Sequence, residues 1–311
     1  MKKVFLSALL LVPGLALAQF DAASLAKVQV KSTPVAGNVY LLEGAGGNIG
    51  ASVGPDGVLI VDDQFAPLAP KIREALAKVS KGQGKGAKPA LQYVLNTHWH
   101  FDHTGSNEAF GREGRIIAHS HVRTRLMNGL ESAAMGMKIP PAPKEALPVI
   151  TYDQGISIFF NGEEIQVTHL PTGHTDGDSM VYFTGSNVLH LGDQFTGDKY
   201  PFIDLESGGS VEGYVRNVER VLQTLPAGVK IIPGHGALSG RAELEKFAEM
   251  LRDSVALVKG KIAAGKTLEQ VKAEGMPEKY KSWGDGFMKP EQWLTVLYMG
   301  LGGQKPEPAK K

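Results

Sequence analysis

The chain has 311 residues, 42% of them hydrophobic, with 38 glycines and 18 prolines. This composition supports a sizeable core with many tight turns and excludes a disordered chain. The 33 basic residues balance 32 acidic ones and there is no cysteine, so nothing electrostatic recommends nucleic acid or an anionic membrane as partner, and disulfides, thiolate ligands and a cysteine nucleophile are excluded. Residues 1–18 read as a signal peptide: Met1-Lys2-Lys3 is basic, an apolar run follows, and Ala16-Leu17-Ala18 is a small-x-small cleavage site before Gln19. The run is short for a membrane-spanning helix. With Lys2 and Lys3 removed, 31 basic residues face 32 acidic ones. The mature protein is expected in the periplasm, or secreted, with no membrane attachment after signal removal.

The mature chain opens β-rich. Strands are expected at 28–32, 38–44, 49–54 and 58–63, with Gly-Pro-Asp-Gly at 54–57 as a hairpin turn. Val58 to Val61 is a continuous apolar run, suited to a strand buried on both faces. The glycine-rich stretch 44–50 lacks the G-x-G-x-x-G spacing and lies between strands, so it reads as a hairpin bend, free to move and near a site. Leu68, Ile72, Leu76 and Val79 mark a helix over 67–79, a Gly/Lys connector follows at 81–89, and 91–96 is a strand. A strand at 115–119 and a short helix at 121–128 lead into a long segment, 129–148, with Met135, Met137 and four prolines. That segment is either a surface excursion or an apolar wall over a substrate pocket. A second β-rich block spans 156–193, with a hairpin at Asn161-Gly162. Helices follow at 210–225, 241–259, 267–273 and 289–300, with a short buried strand read in Lys-Ile-Ile-Pro-Gly-His-Gly at 230–236, and 304–311 is a flexible tail. Strands then helices, given twice without a linker, imply an α/β chain with one domain over 19–303, two sheets face to face and helices outside.

The chemistry concentrates in Asn-Thr-His-Trp-His-Phe-Asp-His at 96–103. His98 and His100, two residues apart at a strand end, can converge on one cation. Asp102 and His103 can reach a second beside it. Imidazole and carboxylate without thiolate suit Zn²⁺, with Mn²⁺ and Fe²⁺ open. Four residues do not complete two sites. His174, Asp193 and His235 each sit at a strand-to-turn junction next to glycine, where the backbone can bend a side chain into a cleft. His119, His121, His169 and His190 occupy plain strands or junctions and read as ordinary surface or core histidines.

These motifs resemble the metallo-β-lactamase superfamily. Thr-His-Trp-His-Phe-Asp-His matches its T-H-x-H-x-D-H signature, and Gly-His-Thr, Gly-Asp and Pro-Gly-His-Gly follow in the family's order, so the likeness spans about residues 28 to 240. The resemblance implies an αβ/βα four-layer sandwich of two mixed sheets with a metal cleft along one edge. It implies His98, His100 and His174 on a first zinc, Asp102, His103 and His235 on a second, and Asp193 bridging both. It also implies a hydrolase whose hydroxide is held between ions about 3.5–4 Å apart, with Asp102 orienting the nucleophile and shuttling its proton.

The departures narrow the substrate. The lactamase branch with a cysteine ligand is excluded, and a second lactamase branch lacks a residue in the place of Asp193. Asp193 in Leu-Gly-Asp-Gln-Phe instead resembles thioester, lactone and phosphodiester hydrolases. The best overall likeness is to exported hydrolases with the Tyr200-Pro201-Phe202-Ile203-Asp204 pattern, where these residues form either a substrate wall or a packing turn. The expected activity is hydrolysis of a carbonyl-type bond in a small molecule: a β-lactam, lactone or thioester. A phosphodiesterase is the alternative, though no basic cluster accompanies the motifs. Diiron oxygen reduction would need a glutamate in place of His100 and a flavin domain. A monoiron dioxygenase of the same fold stays open, and a purely structural metal protein is disfavoured because no ligand position is lost.

Overall fold

A computed structural model describes residues 22–81, 90–132 and 137–303. The expected signal peptide, most of the 81–89 connector, Met135 and the 304–311 tail lie outside the described residues. No helix among the described residues is long and apolar enough to cross a membrane.

The first sheet holds seven strands in the order β1 (Lys31–Ala36), β2 (Val39–Glu43), β3 (Ile49–Gly54), β4 (Gly57–Val61), β5 (Leu91–Leu95), β6 (Arg115–His119) and β9 (Ile150–Tyr152). Strands β1 to β4 run antiparallel, and β4, β5, β6 and β9 run parallel. The second sheet is β10 (Gly155–Phe160), β11 (Glu163–His169), β12 (Ser179–Phe183), β13 (Val188–His190) and β14 (Lys230–Ile232), antiparallel except for the β13–β14 pair. Both sheets are therefore mixed.

Strand periodicity separates the layers. Along β4, Val58 and Ile60 face outward onto the helix Ala69–Ser80 through Ile72 and Leu76, while Leu59 and Val61 face the second sheet. The inter-sheet core joins Leu41, Leu95 and Ile117 to Ile165, Val181, Phe183 and Ile232. Outside the second sheet, Leu189 and Ile231 pack on the helices Val211–Thr224, Arg241–Ala263, Leu268–Glu274 and Pro290–Gly300. The result is the αβ/βα sandwich. Every parallel strand of both sheets ends at one edge, where ligands bind in open α/β sheets.

Several local expectations are corrected. The first strand begins at Lys31, because Val28 N–H bonds Leu25 C=O and closes a short helix, Ala22–Lys27. Its Pro34 is tolerated because β1 is an edge strand. The segment 129–148 is not plain loop: β7 (Leu130–Ser132) and β8 (Met137–Ile139) pair antiparallel, and Leu130 and Ile139 pack on Trp99. The bend at 44–48 is pinned, with Gly47 N–H bonded to Asp102 C=O and Asn48 Nδ2 to Pro233 and Gly236 C=O.

Two of the turn signals meet. Asn161 (φ 52°) and Gly162 (φ 81°) form the two-residue turn between Phe160 and Glu163. Its Asn161 clasps the 54–57 hairpin of the other sheet: Asn161 N–H donates to Asp56 Oδ2 (2.6 Å), Asp56 N–H to Asn161 Oδ1 (3.0 Å), and Asn161 Nδ2 to Ser52 Oγ (3.0 Å). Asn161→Ala removes the amide donor from the buried Ser52 Oγ and Gly57 C=O and the acceptor from Asp56 N–H, and places alanine at positive φ. It is expected to lower stability by about 2 kcal/mol, read from the urea midpoint, without changing metal content.

Candidate metal centre

The edge that collects the parallel strand ends also collects the polar residues. β4 stops at Asp62, β5 leads into Thr97, His98 and His100, and a helical turn (Phe101–Thr104) carries Asp102 and His103. A bend at 97–98 and the extended backbone of His100 (φ −63°, ψ 146°) bring the His98 and His100 rings within 4.8 Å of each other, centre to centre. β11 leads to His174, β13 to Asp193 in the turn Gly192–Gln194, and β14 to His235. Gly192 (φ +50°) packs its α-carbon on Thr97, and a side chain at Gly47 would fall into the His103 ring. Both glycines are required by close approach.

All seven residues singled out in the sequence converge here. His98, His100 and His174 form one grouping with ligand atoms within 4.8 Å of one another, and Asp102, His103 and His235 form another. Asp193 lies between them: Oδ2 is 3.6 Å from His174 Nε2, and Oδ1 is 3.1 Å from His103 Nε2 and 3.4 Å from His235 Nε2. Asp62, His98 and His103 also fall within 4.8 Å. Asp62 is already engaged, however, so it supports the centre rather than joining it.

The far side of each ring fixes which nitrogen faces the centre. His100 Nε2 donates to Asp204 Oδ2 (2.9 Å), and His174 Nδ1 donates to Phe202 C=O (2.7 Å). His103 Nδ1 donates to Asp62 Oδ2 (2.7 Å). Thr97 Oγ1 donates to Asp62 Oδ2 (2.8 Å) and so accepts from His98 Nδ1 (3.0 Å). With those protons placed, the inward nitrogens of His98, His100 and His174 are lone pairs. His174 Nε2 and His100 Nδ1 are 2.8 Å apart, and His98 Nε2 is buried without a partner. Facing imidazole lone pairs repel unless a cation sits between them, so this donor set fits a metal ion. Carboxylate or carbonyl partners on the outer nitrogens are the usual support of metal-binding histidines.

The electrostatics differ between the two groupings. Burial, with His103 and His174 alongside, holds His98 well below the ordinary histidine range. Burial and neighbouring His100 bring His174 down to about 4. Both are neutral bases at pH 7. Burial also opposes charge on His103 and His235, but Asp193 and Asp102 outweigh it, lifting His103 well above its usual range and His235 to about 10. Asp102, which burial would raise, is brought down to about 2 by His103 and His235. Protons thus bind the second grouping together, and a metal ion would displace them. His235 (38% exposed) and Asp102 (22%) also form the solvent-open flank, while His98, His103 and His174 are buried.

The four remaining histidines stay outside these groupings. His119 stacks on His169 with ring centres 3.9 Å apart, His121 Nδ1 bonds Asp176 C=O, and His190 Nε2 bonds Asn48 C=O. The sequence reading missed Asp62 as a functional residue and left Asp204 ambiguous. The signal for Asp62 was two carboxylates, Asp62 and Asp63, closing a strand buried on both faces. A further buried carboxylate, Asp178, accepts from Thr175 N–H and Oγ1 and from Gln194 Nε2, tying the His174 loop to the Asp193 turn.

The protein is thus a four-layer αβ/βα sandwich with a histidine–aspartate cluster able to hold metal at one sheet edge. The chain belongs to the metallo-beta-lactamase superfamily, whose profile matches residues 32–235. It is 24% identical over 196 residues to the acyl-coenzyme A thioesterase MBLAC2 of Gallus gallus, covering 58% of this chain and 68% of that protein. It is 29% identical over 150 residues to the hydroxyacylglutathione hydrolase of Pelagibacter ubique (strain HTCC1062), covering 47% of this chain and 52% of that protein. The chain thus spans about half the length of the Pelagibacter relative. Among solved structures, a metallo-beta-lactamase from Pontibacter korlensis superposes with a TM-score of 0.55 at 17% identity, over 72% of this chain and 100% of its own. A double mutant of the sec-alkyl sulfatase PisA1 superposes with a TM-score of 0.66 at 16% identity, over 91% of this chain and 51% of its own. At these identities the structural matches show the fold.

Proposed function

We propose that this protein is an exported dinuclear zinc hydrolase that cleaves a carbonyl-type bond in a small molecule, with thioesters and lactones ahead of β-lactams. One observation carries the reading: the inward lone pairs of His98, His100 and His174 and the carboxylates of Asp102 and Asp193 converge in two adjoining groupings. His98, His100 and His174 would hold one ion, Asp102, His103 and His235 the other, and Asp193 both. Two zinc ions there would supply a water acidic enough to ionise near neutral pH and a Lewis acid for the scissile carbonyl. The protein's own part is to fix the donors, exclude water from the buried side, and hold a proton. Asp102 Oδ2, 3.3 Å from His235 Nε2 on the open flank, is the group placed to carry it.

A thioesterase and a hydroxyacylglutathione hydrolase among the relatives favour the thioester. A phosphodiester would call for free cations beside the site, but Arg125 is bound by both oxygens of Asp176. A monoiron dioxygenase would leave Asp102 and His235 without a role. The expected periplasmic or secreted location rests on the 1–18 signal.

Metal analysis of the purified protein, with a panel of a thioester, a lactone and a chromogenic cephalosporin, tests the proposal. About two zinc ions per chain are expected. Stripping them with a chelator should lower hydrolysis by at least about a thousandfold and reduce thermal stability, and zinc should restore both. Iron as the sole metal, with no hydrolysis in the panel, would overturn it.

A further inference from the structure

One flank of the site is apolar, built by Phe202 and extended by Phe287 of the C-terminal segment. The Phe202 ring lies 5.9 Å from the His100 ring and 6.0 Å from the His174 ring. Phe287 stands edge-on to Phe202 at 6.4 Å and is 62% exposed. An exposed phenylalanine alone is ordinary. This one touches a ring that itself touches two candidate metal-binding histidines. Its position is also fixed: Met288 beside it is buried, Gly286 packs on the Lys199 side chain, and Tyr200 N–H bonds Trp283 C=O (3.1 Å). Phe287 lies beyond residue 235, where the family profile ends.

The two flanks suit the two halves of an ester. In hydrolysis the water oxygen bonds to the carbonyl carbon and the C–S or C–O bond breaks. One proton goes to the departing thiolate or alkoxide, and another leaves the new carboxylic acid. The departing half therefore needs the polar, solvent-open flank of Asp102 and His235. The acyl half needs no proton and is left the flank of Phe202 and Phe287.

We propose that Phe202 and Phe287 form an acyl-binding wall that selects substrates with an apolar acyl group, with Phe287 as the specificity-determining residue. The assignment rests on the hydrolase reading above, and its test separates the two. The zinc-loaded wild type, Phe287→Ala, Phe287→Leu and Phe159→Ala are compared on p-nitrophenyl acetate and octanoate. Phe159 is a control, 79% exposed on the edge strand β10. Wild type should prefer the octanoate. Phe287→Ala should lower the octanoate-to-acetate ratio of kcat/KM about tenfold, chiefly through KM, as loss of about two buried methylene equivalents predicts. Phe287→Leu should restore most of the ratio, and Phe159→Ala should leave it unchanged. Calorimetric Kd values for octanohydroxamate and acetohydroxamate are then taken on the same proteins. A chain-length preference in binding that Phe287→Ala removes supports the wall even if no ester is turned over, in which case the hydrolase reading alone falls. A ratio that Phe287→Ala leaves intact in both turnover and binding overturns the wall.

Discussion

On the proposed two-ion centre, replacing His174 with alanine is expected to take the metal content from two ions to about one and to lower hydrolysis by at least about a thousandfold. His174 supplies one of three inward lone pairs in the buried grouping, and its Nε2 stands 2.8 Å from His100 Nδ1. With it gone, two imidazoles and a carboxylate shared with the other grouping remain, one donor fewer for the buried ion. The metal-free protein should react in the opposite sense. There the facing lone pairs are a liability, so the variant should melt close to chelated wild type although a buried hydrogen bond to Phe202 C=O is lost. Losing metal without losing the metal-free fold is what separates a ligand from a core histidine. His169→Ala is the control: His169 Nδ1 bonds Asp178 C=O and its ring stacks on His119, outside every grouping. Elemental analysis and turnover of both variants decide the matter. Full metal in His174→Ala with loss in His169→Ala would sink the assignment.

The seven converging residues were legible in the sequence because each announces itself locally. The 96–103 stretch packs its histidines and aspartate into one strand end, and His174, Asp193 and His235 each lie beside glycine at a junction. The sandwich was legible for a similar reason, since Val58 to Val61 and the Asn161-Gly162 turn state their environments within a few residues. What supports the centre was not legible. Asp62 reaches His103 across 41 positions and Asp204 reaches His100 across 104, and no local pattern reports a partner that distant. The three-residue strands β7, β8 and β9 were missed because they lack the apolar run and glycine-marked end that reveal the equally short β13 and β14. The start of β1 was misplaced because Val28 and Val30 have strand character, while the Val28 backbone is used to end a helix.

The supporting carboxylates give the sharpest test of how the centre is held. Asp204 Oδ1 accepts from the backbone N–H groups of Glu206 (3.1 Å) and Ser207 (3.0 Å), and Oδ2 accepts from His100 Nε2 (2.9 Å). In Asp204→Asn the one remaining oxygen must stay with the two backbone donors, so the amide NH₂ turns toward His100. A donor facing Nε2 makes that nitrogen the acceptor and moves the ring proton to Nδ1, the atom aimed at His174. The buried three-histidine grouping then loses a lone pair although no ligand was mutated. Asp62→Asn repeats the logic on the other grouping. Its oxygen is claimed by Thr97 N–H (2.7 Å), so the NH₂ faces His103 Nδ1 and the proton moves to Nε2, the atom near Asp193 and His235. Each substitution is expected to weaken metal binding about 10- to 100-fold, Asp204→Asn at the three-histidine grouping alone and Asp62→Asn at both, because the same NH₂ also faces Thr97 Oγ1 and so disturbs its bond to His98 Nδ1. Stepwise titration against a chromogenic chelator should show Asp204→Asn acting on one binding step and Asp62→Asn on both. Equal loss at both steps in both variants would mean that the carboxylates act only through the stability of the fold. Affinity unchanged in either would show that its carboxylate does not set the protonation of the histidine it touches.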